Sequence, residues 1–169
     1  MSQAATRTVV LMRHAEPVSS MEDSARPLSV QGRRQAELMA SWIALSDAGI
    51  VEVRSSDRLR ARQTAEALGR RLDLSPGRIR EWKALAPDAD PSVAASDLES
   101  DPRNVVLVGH LPHVERLASV LLAGDPVAFR MQLGHAAAVV VVREGERWTL
   151  RTVIAPADVQ ALDQASRSG

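Results

Sequence analysis

The chain has no cysteine and no tyrosine, and only one phenylalanine and one lysine among its 169 residues. Without cysteine there are no disulfides, no thiolate zinc sites and no mechanism that runs through a thiol nucleophile. Without tyrosine, and with one phenylalanine, it lacks the aromatic platforms on which nucleic-acid bases stack. Charge of one sign is also missing: 21 basic and 21 acidic residues sum to zero. Neither nucleic acid nor a membrane surface is therefore expected as a partner. No long apolar run is present either. Val9–Met12, the apolar run near the N-terminus, is far too short for a signal peptide or a membrane span, and a cytoplasmic location is the expectation.

What is present is ordinary for a globular protein, 45% apolar and 25% charged. The length suits one domain with a substantial core. We expect a single domain over residues 1–169, its core spanning about 8–154 and its tail 155–169 fraying after one helical turn or two. Twenty of the 21 basic residues are arginine, Lys83 being the exception. Base composition of the gene accounts for most of them, while a few serve where a planar fork grips phosphate.

Strands and helices alternate. Val9–Met12 reads as a buried strand, since consecutive apolar residues suit a parallel strand covered on both faces. Ser29 is a good N-cap for a helix from Val30 to about Leu45, whose apolar residues recur with helical spacing. Val51–Val53 reads as a short strand, and Ser55-Ser56 announces a helix from Asp57 to about Leu72. Ile79–Trp82 reads as extended and Ser92–Leu98 as helical. Asn104–Val108 is the clearest buried strand, followed by Gly109-His110 and a helix with Pro112 in its first turn. Residues 127–133 have no assigned state, and Ala136–Arg143 with Arg147–Ile154 form a hairpin around Glu144-Gly145-Glu146. The pattern predicts an α/β protein with a mostly parallel sheet and an antiparallel C-terminal edge.

Two strands end alike, Met12 into Arg13-His14 and Val108-Gly109 into His110. In a parallel sheet both carboxyl ends lie on one rim, where open α/β sheets bind their ligands. Arg60, early in the helix opened by Ser56, can reach that rim beside the positive end of the helix dipole, and Arg26 follows in the loop after the first strand. Like charges at 4 Å repel by about 4 kcal/mol at an effective dielectric of 20, so such a cluster makes sense around an anion such as phosphate.

Three motifs in order then become specific: Leu11-Met-Arg13-His14, Ser56-Asp-Arg-Leu-Arg60-Ala-Arg-Gln63-Thr64-Ala65, and Val108-Gly109-His110-Leu-Pro112. Together they resemble the histidine phosphatase superfamily, with its three-layer α/β/α, phosphoglycerate-mutase-like fold. The short length, Arg26-Pro27-Leu28-Ser29 and the His-Leu-Pro step look most like its SixA-type phosphohistidine phosphatases. The resemblance implies that His14 is a nucleophile that becomes phosphorylated, with Arg13, Arg60 and His110 binding the phosphate and Arg26 as a fourth ligand. It implies metal-independent hydrolysis with no cofactor. The substrate would be a phosphohistidine-bearing protein or, alternatively, a small phosphate ester acted on by a broad-specificity phosphomonoesterase. His14 needs one bare ring nitrogen, and a backbone carbonyl near Gly109 is the expected partner of the other.

This chain departs from the family pattern at Ala15, where glycine is usual, and at Asp57, where proline is common. Larger relatives carry a glutamate that protonates the leaving oxygen, but the segment between Leu72 and Asn104 is short here and shows Ala84 near the matching place. Asp23 is the first choice of proton donor; Glu81 and Asp88 are the nearest others. His113 reads as a solvated helix face and Trp148 as half-buried; His135 reads as a plain turn histidine, with a place close to the phosphate rim as its alternative. Two rival classes are a metal-dependent hydrolase built on the four histidines and a phosphate-binding module without catalysis.

Overall fold

A computed structural model describes residues 6–167. Six strands form one sheet in the order β3-β2-β4-β1-β5-β6. They are β1 (Arg7–Arg13), β2 (Glu52–Ser55), β3 (Ile79–Glu81), β4 (Val105–Gly109), β5 (Ala138–Glu144) and β6 (Arg147–Ile154). The first four in that order run parallel, while β5 is antiparallel to both β1 and β6. The helices are α1 (Val30–Leu45), α2 (Leu59–Arg71), α3 (Pro91–Ser100), α4 (His113–Ala123) and α5 (Pro156–Arg167).

The continuous apolar runs of β1 and β4 follow from burial on both faces. Alternate residues of β1 point to opposite sides of the sheet. Val10 and Met12 join a core with Met39 and Ile43 of α1 and Leu68 of α2. Val9 and Leu11 join a second core with Leu98 of α3 and Leu117 of α4. The result is a three-layer α/β/α arrangement. Ser29 caps α1 as its sequence predicts, its side chain accepting from the Gly32 N–H at 2.9 Å. Gly32 itself is obligatory: a Cβ there would lie 1.9 Å from the Glu16 carbonyl oxygen. That close approach seats the start of α1 directly on the segment that follows β1.

Three expectations need correction. Where one helical turn or two was expected, the described C-terminal residues form α5, twelve residues long, while residues 168–169 of the expected frayed tail lie outside the described residues. Val159 anchors it in the α1/α2 core, so a polar-looking helix is held by one buried side chain near its start. The second strand lies at Glu52–Ser55 instead of Val51–Val53, because parallel pairing of Glu52–Ser55 with Val105–Val108 sets its limits. Trp148 is buried, not half-buried, with the guanidinium carbons of Arg7 and Arg143 5.1 and 5.7 Å from its ring centre. Residues 127–133 contain no regular element.

Glu52, a charged residue inside the predicted strand, is almost wholly buried. Its carboxylate accepts from Arg54 at 2.5 Å and Arg103 at 2.7 Å, and Asp101 accepts from both arginines as well. These hydrogen bonds from Arg103 and Arg54 hold the Asp101 carboxyl well below the usual carboxylate range. The network ties the beginnings of β2 and β4 together at the edge opposite the histidines. Removing one partner from such a buried network leaves uncompensated charge, which costs about 3–5 kcal/mol. Glu52→Ala should therefore lower unfolding free energy by about that amount in urea titrations, and a loss under about 1 kcal/mol would show that the network is solvated.

Candidate active site

Strands β1 and β4 pair in parallel with Arg13 opposite Gly109, so the residues just after them emerge at one level. The His14 N–H donates to Gly109 O at 2.9 Å, and the rings of His14 and His110 stand 4.9 Å apart between centroids. Helix α2 delivers the third member from its second residue. The Arg60 Nε–H donates to His14 Nε2 at 3.2 Å, and Arg60 Nη2 lies 3.4 Å from His110 Nδ1. His14, Arg60 and His110, far apart in sequence, thus form one hydrogen-bonded cluster, with Arg13 beside it at the end of β1.

The tautomer of His14 follows from its partners. A guanidinium only donates, so Nε2 carries the lone pair. The proton is then on Nδ1, which lies 2.8 Å from Ala15 O and donates to it. The anchoring carbonyl is therefore that of Ala15, not one near Gly109; the glycine carbonyl is taken by the His14 backbone instead. Burial pushes His14 down to about 3, reinforced by the His110, Arg60 and His135 charges and opposed by the Ala15 bond. His110 is pushed down to about 4 by burial and then by Arg60 and Arg58. Both imidazoles are neutral at pH 7.

The helix motif serves as more than a carrier for Arg60. Buried Thr64 donates from Oγ1 to Arg60 O at 2.8 Å and accepts from the Ala15 N–H at 3.1 Å. Gln63 Oε1 accepts from the Leu28 N–H at 2.7 Å, fastening the loop that carries Arg26. Buried Ser56 places its Oγ 2.6 Å from His110 Nε2. Arg26 adopts φ 50 and donates weakly to Val18 O at 3.4 Å. Its charge lowers the pKa of Arg60, second only to burial.

The candidate acids are not drawn into this cluster. Asp23 is exposed and its Oδ1 accepts from the Ala25 N–H at 2.8 Å within its own turn. Glu81 is exposed and pairs with Arg62 at 3.2 Å. His113 differs from its sequence reading, and His135 follows the alternative one, close to the rim. His113 is 1% exposed, with neither ring nitrogen partnered, so it is a core residue and not a solvated one. His135 is no plain turn histidine: its Nε2 is 3.0 Å from Arg13 Nη2 and its ring centre 5.5 Å from that of His14. A Gly-His step just before a predicted hairpin was the only signal available for it. Among the described residues no group of three or more His, Cys, Asp or Glu side chains could hold a metal ion.

Residues 9–86 match the model of the histidine phosphatase superfamily, branch 1. The chain is 32% identical over 122 residues to the phosphohistidine phosphatase SixA of Escherichia coli K12, covering 69% of this chain and 75% of that protein. The chain belongs to the histidine phosphatase superfamily. It is similar to the solved protein histidine phosphatase SixA complexed with tungstate, with a TM-score of 0.79 and 27% identity over 90% of this chain and 99% of that one. A SixA structure from Nakamurella multipartitia, described as a phosphohistidine phosphatase, gives 0.73 and 25% over 92% and 99%. Membership makes the protein a hydrolase of the phosphatase type, on a phosphoglycerate-mutase-like fold. Among the described residues no helix is long and apolar enough to cross a membrane.

The Ser56 contact makes a specific prediction. Ser56→Ala removes a buried partner of His110, and a lost buried hydrogen bond costs about 1–3 kcal/mol. The kcat/KM for phosphate release should fall about ten-fold or more while the melting temperature drops only a few degrees; unchanged kcat/KM would show that His110 needs no such tether.

Proposed function

We propose that the protein removes phosphate from a phosphohistidine carried by another protein, working through a phosphohistidine intermediate on its own His14. The observation that carries this reading is the state of His14 itself. Its Nδ1 proton is committed to the Ala15 carbonyl, and its Nε2 lone pair opens toward Arg60 at 3.2 Å. A neutral imidazole with one fixed, unprotonated nitrogen is a nucleophile ready at neutral pH.

On this reading Arg13, Arg60 and His110 hold the phosphoryl oxygens, with Arg26 as a further ligand. His14 Nε2 attacks phosphorus in line; the N–P bond to His14 forms as the bond to the substrate nitrogen breaks. The substrate ring, already protonated on its other nitrogen, takes the electron pair of the broken N–P bond and leaves as a neutral imidazole. Water then attacks phosphorus, the bond to His14 breaks, and inorganic phosphate departs with the proton balance restored from solvent. The arginines stabilise negative charge on the equatorial oxygens throughout. The hydrogen-bonded cluster contains no carboxylic acid, which suits a leaving nitrogen better than an alkoxide. The names of the relatives, phosphohistidine phosphatases, support the same substrate class. We place the activity in the cytoplasm, on a phosphoprotein substrate, without metal or cofactor.

Incubation with a labelled phosphohistidine protein should leave acid-labile, base-stable phosphate on the enzyme, absent in His14→Ala, whose turnover should fall at least a thousand-fold. Wild-type turnover by His14→Ala would overturn the mechanism, and a marked preference for small alcohol phosphates would overturn the substrate. Chelator should change nothing. Because His14 and His110 are held at about 3 and about 4, protonation of neither should depress kcat/KM between pH 7 and pH 5. The sign is that of a lowered histidine: the neutral, reactive form persists down to the shifted pKa.

A further inference from the structure

The segment between α4 and β5 grips the Arg13-His14 pair at four points. The Arg13 N–H donates to Ala137 O at 3.0 Å, and the Ala136 N–H donates to His14 O at 3.1 Å. The Arg13 side chain donates from Nη1 to Leu133 O at 2.8 Å, and its Nη2 lies 3.0 Å from His135 Nε2. Ala136 is fully buried with φ 59, a left-handed conformation that a non-glycine residue keeps only where its surroundings enforce it. Strain of this kind at the back of a reactive pair marks a grip and not an incidental loop.

A guanidinium has five donors and no acceptor. His135 Nε2 must therefore be the accepting atom, and the ring can fill that role only while this nitrogen is unprotonated. We propose that His135 is a positioning residue for Arg13: its neutral imidazole accepts from Nη2 and aims the guanidinium at the phosphate, and its protonation releases Arg13. This rests on the reading of the rim as a phosphate site.

The geometry leaves Arg13 well placed for the task. Two of its five N–H groups are spent on Leu133 and His135, one from each terminal nitrogen. The remaining three are free to meet an anion, and the fork can no longer rotate about its long side chain. Protonated His135 would set N–H against N–H, two cations 3.0 Å apart with no acceptor between them. The charges that face His135 come from every side: Arg13 on β1, Arg26 and Glu16 in the loop after it, and Arg60 on α2. The His14 ring lies alongside at 5.5 Å. Three cations oppose one carboxylate, and Glu16 already accepts from the Ser29 hydroxyl at 2.8 Å. Burial and these cations lower the pKa of His135, so the contact is intact at neutral pH and is lost on the acid side.

The test is the affinity of the whole chain for inorganic phosphate, measured by calorimetry from pH 8 to pH 5, for wild type, His135→Gln and His135→Ala. Glutamine Oε1 can accept from Arg13 at any pH. Ratios between proteins cancel the titration of phosphate and of His14 and His110, which all three share. At pH 8, His135→Ala should bind about ten-fold more weakly than wild type, and His135→Gln should recover at least three-fold of that loss. As pH falls toward 5, wild type should progressively lose affinity relative to His135→Gln, while the ratio of the two variants stays flat. Equal affinities of wild type and His135→Ala would overturn the proposal. A wild-type to glutamine ratio independent of pH would do so too. So would a wild type that gains on glutamine in acid, because His135 would then be a direct anion ligand. If the wild type binds no phosphate even at pH 8, the phosphate-site reading falls and this proposal with it; phosphate binding with unresponsive ratios removes the role of His135 alone.

Discussion

The register between β1 and β4 is the constraint on which the site depends. Arg13 pairs with Gly109, and the His14 N–H donates to the Gly109 carbonyl, so two strands nearly a hundred residues apart in sequence stop at one level. The neighbours continue that level. On the far side of β4, Ser55 of β2 pairs with Val108 and the Ser56 N–H donates to Val108 O at 3.2 Å, which sets the Ser56 hydroxyl against His110. On the far side of β1, the antiparallel β5 begins with Ala138 opposite Met12 and brings His135 to the same rim. Four strands, three arriving and one departing, thus deliver His14, His110, Ser56 and His135. A glycine at position 109 is part of the same constraint, since a Cβ would stand 2.9 Å from the Val114 side chain at the start of α4. Moving β4 by one residue would turn His110 to the other face of the sheet and dissolve the cluster.

Charge is distributed in two opposite ways along the same strands. At their beginnings, Arg54 and Arg103 are met by Glu52 and Asp101, and the balanced set binds the molecule together. At their ends, Arg13 and Arg60 stand beside the histidines, no carboxylate among the described residues is hydrogen-bonded to either, and their pKa values are lowered, chiefly by burial. Adjacent unit charges at 4 Å cost about 4 kcal/mol at an effective dielectric of 20. The fold limits that cost by keeping the intervening histidines neutral through burial. On the proposed reading, the unbalanced cluster is the binding site and the balanced one a structural bridge.

Much of this was legible in the residues, and the failures have physical reasons. Apolar runs ending in His14 and His110 survive translation into structure because strands buried on both faces announce themselves by composition alone. The motif around Arg60 was legible because its spacing is helical and its Thr64 and Gln63 each hold a backbone N–H. His113 was misread because periodicity on a short helix cannot say how deep its first turn lies; only the packing of α4 buries it. The favoured reading of His135 failed for a different reason. It sits in a stretch without regular structure, where no periodic signal exists, and its importance comes from meeting Arg13, 122 residues away. The end of β2 was missed at Arg54, a charge that is buried in the strand because Glu52 and Asp101 accept from it.

The same distinction bears on the missing acid. Asp23 and Glu81 looked suitable in sequence because they lie near site motifs, yet each is occupied locally, one by a turn amide and the other by Arg62. The segment between α2 and β4 is consumed by β3, two short helical turns and α3, and it buries Leu85 and Leu98 in the core. Packed down in this way, it supplies no carboxylic acid to the hydrogen-bonded cluster. On the proposed reading that absence is coherent with the chemistry. A phosphorylated imidazole that carries a proton on its other nitrogen leaves as a neutral ring and needs no donor at the moment of cleavage, whereas an alkoxide would. On that proposed reading, the protein holds phosphate through Arg13, Arg60 and His110, invests nothing in protonating an oxygen, and is selective through the leaving group it declines to assist.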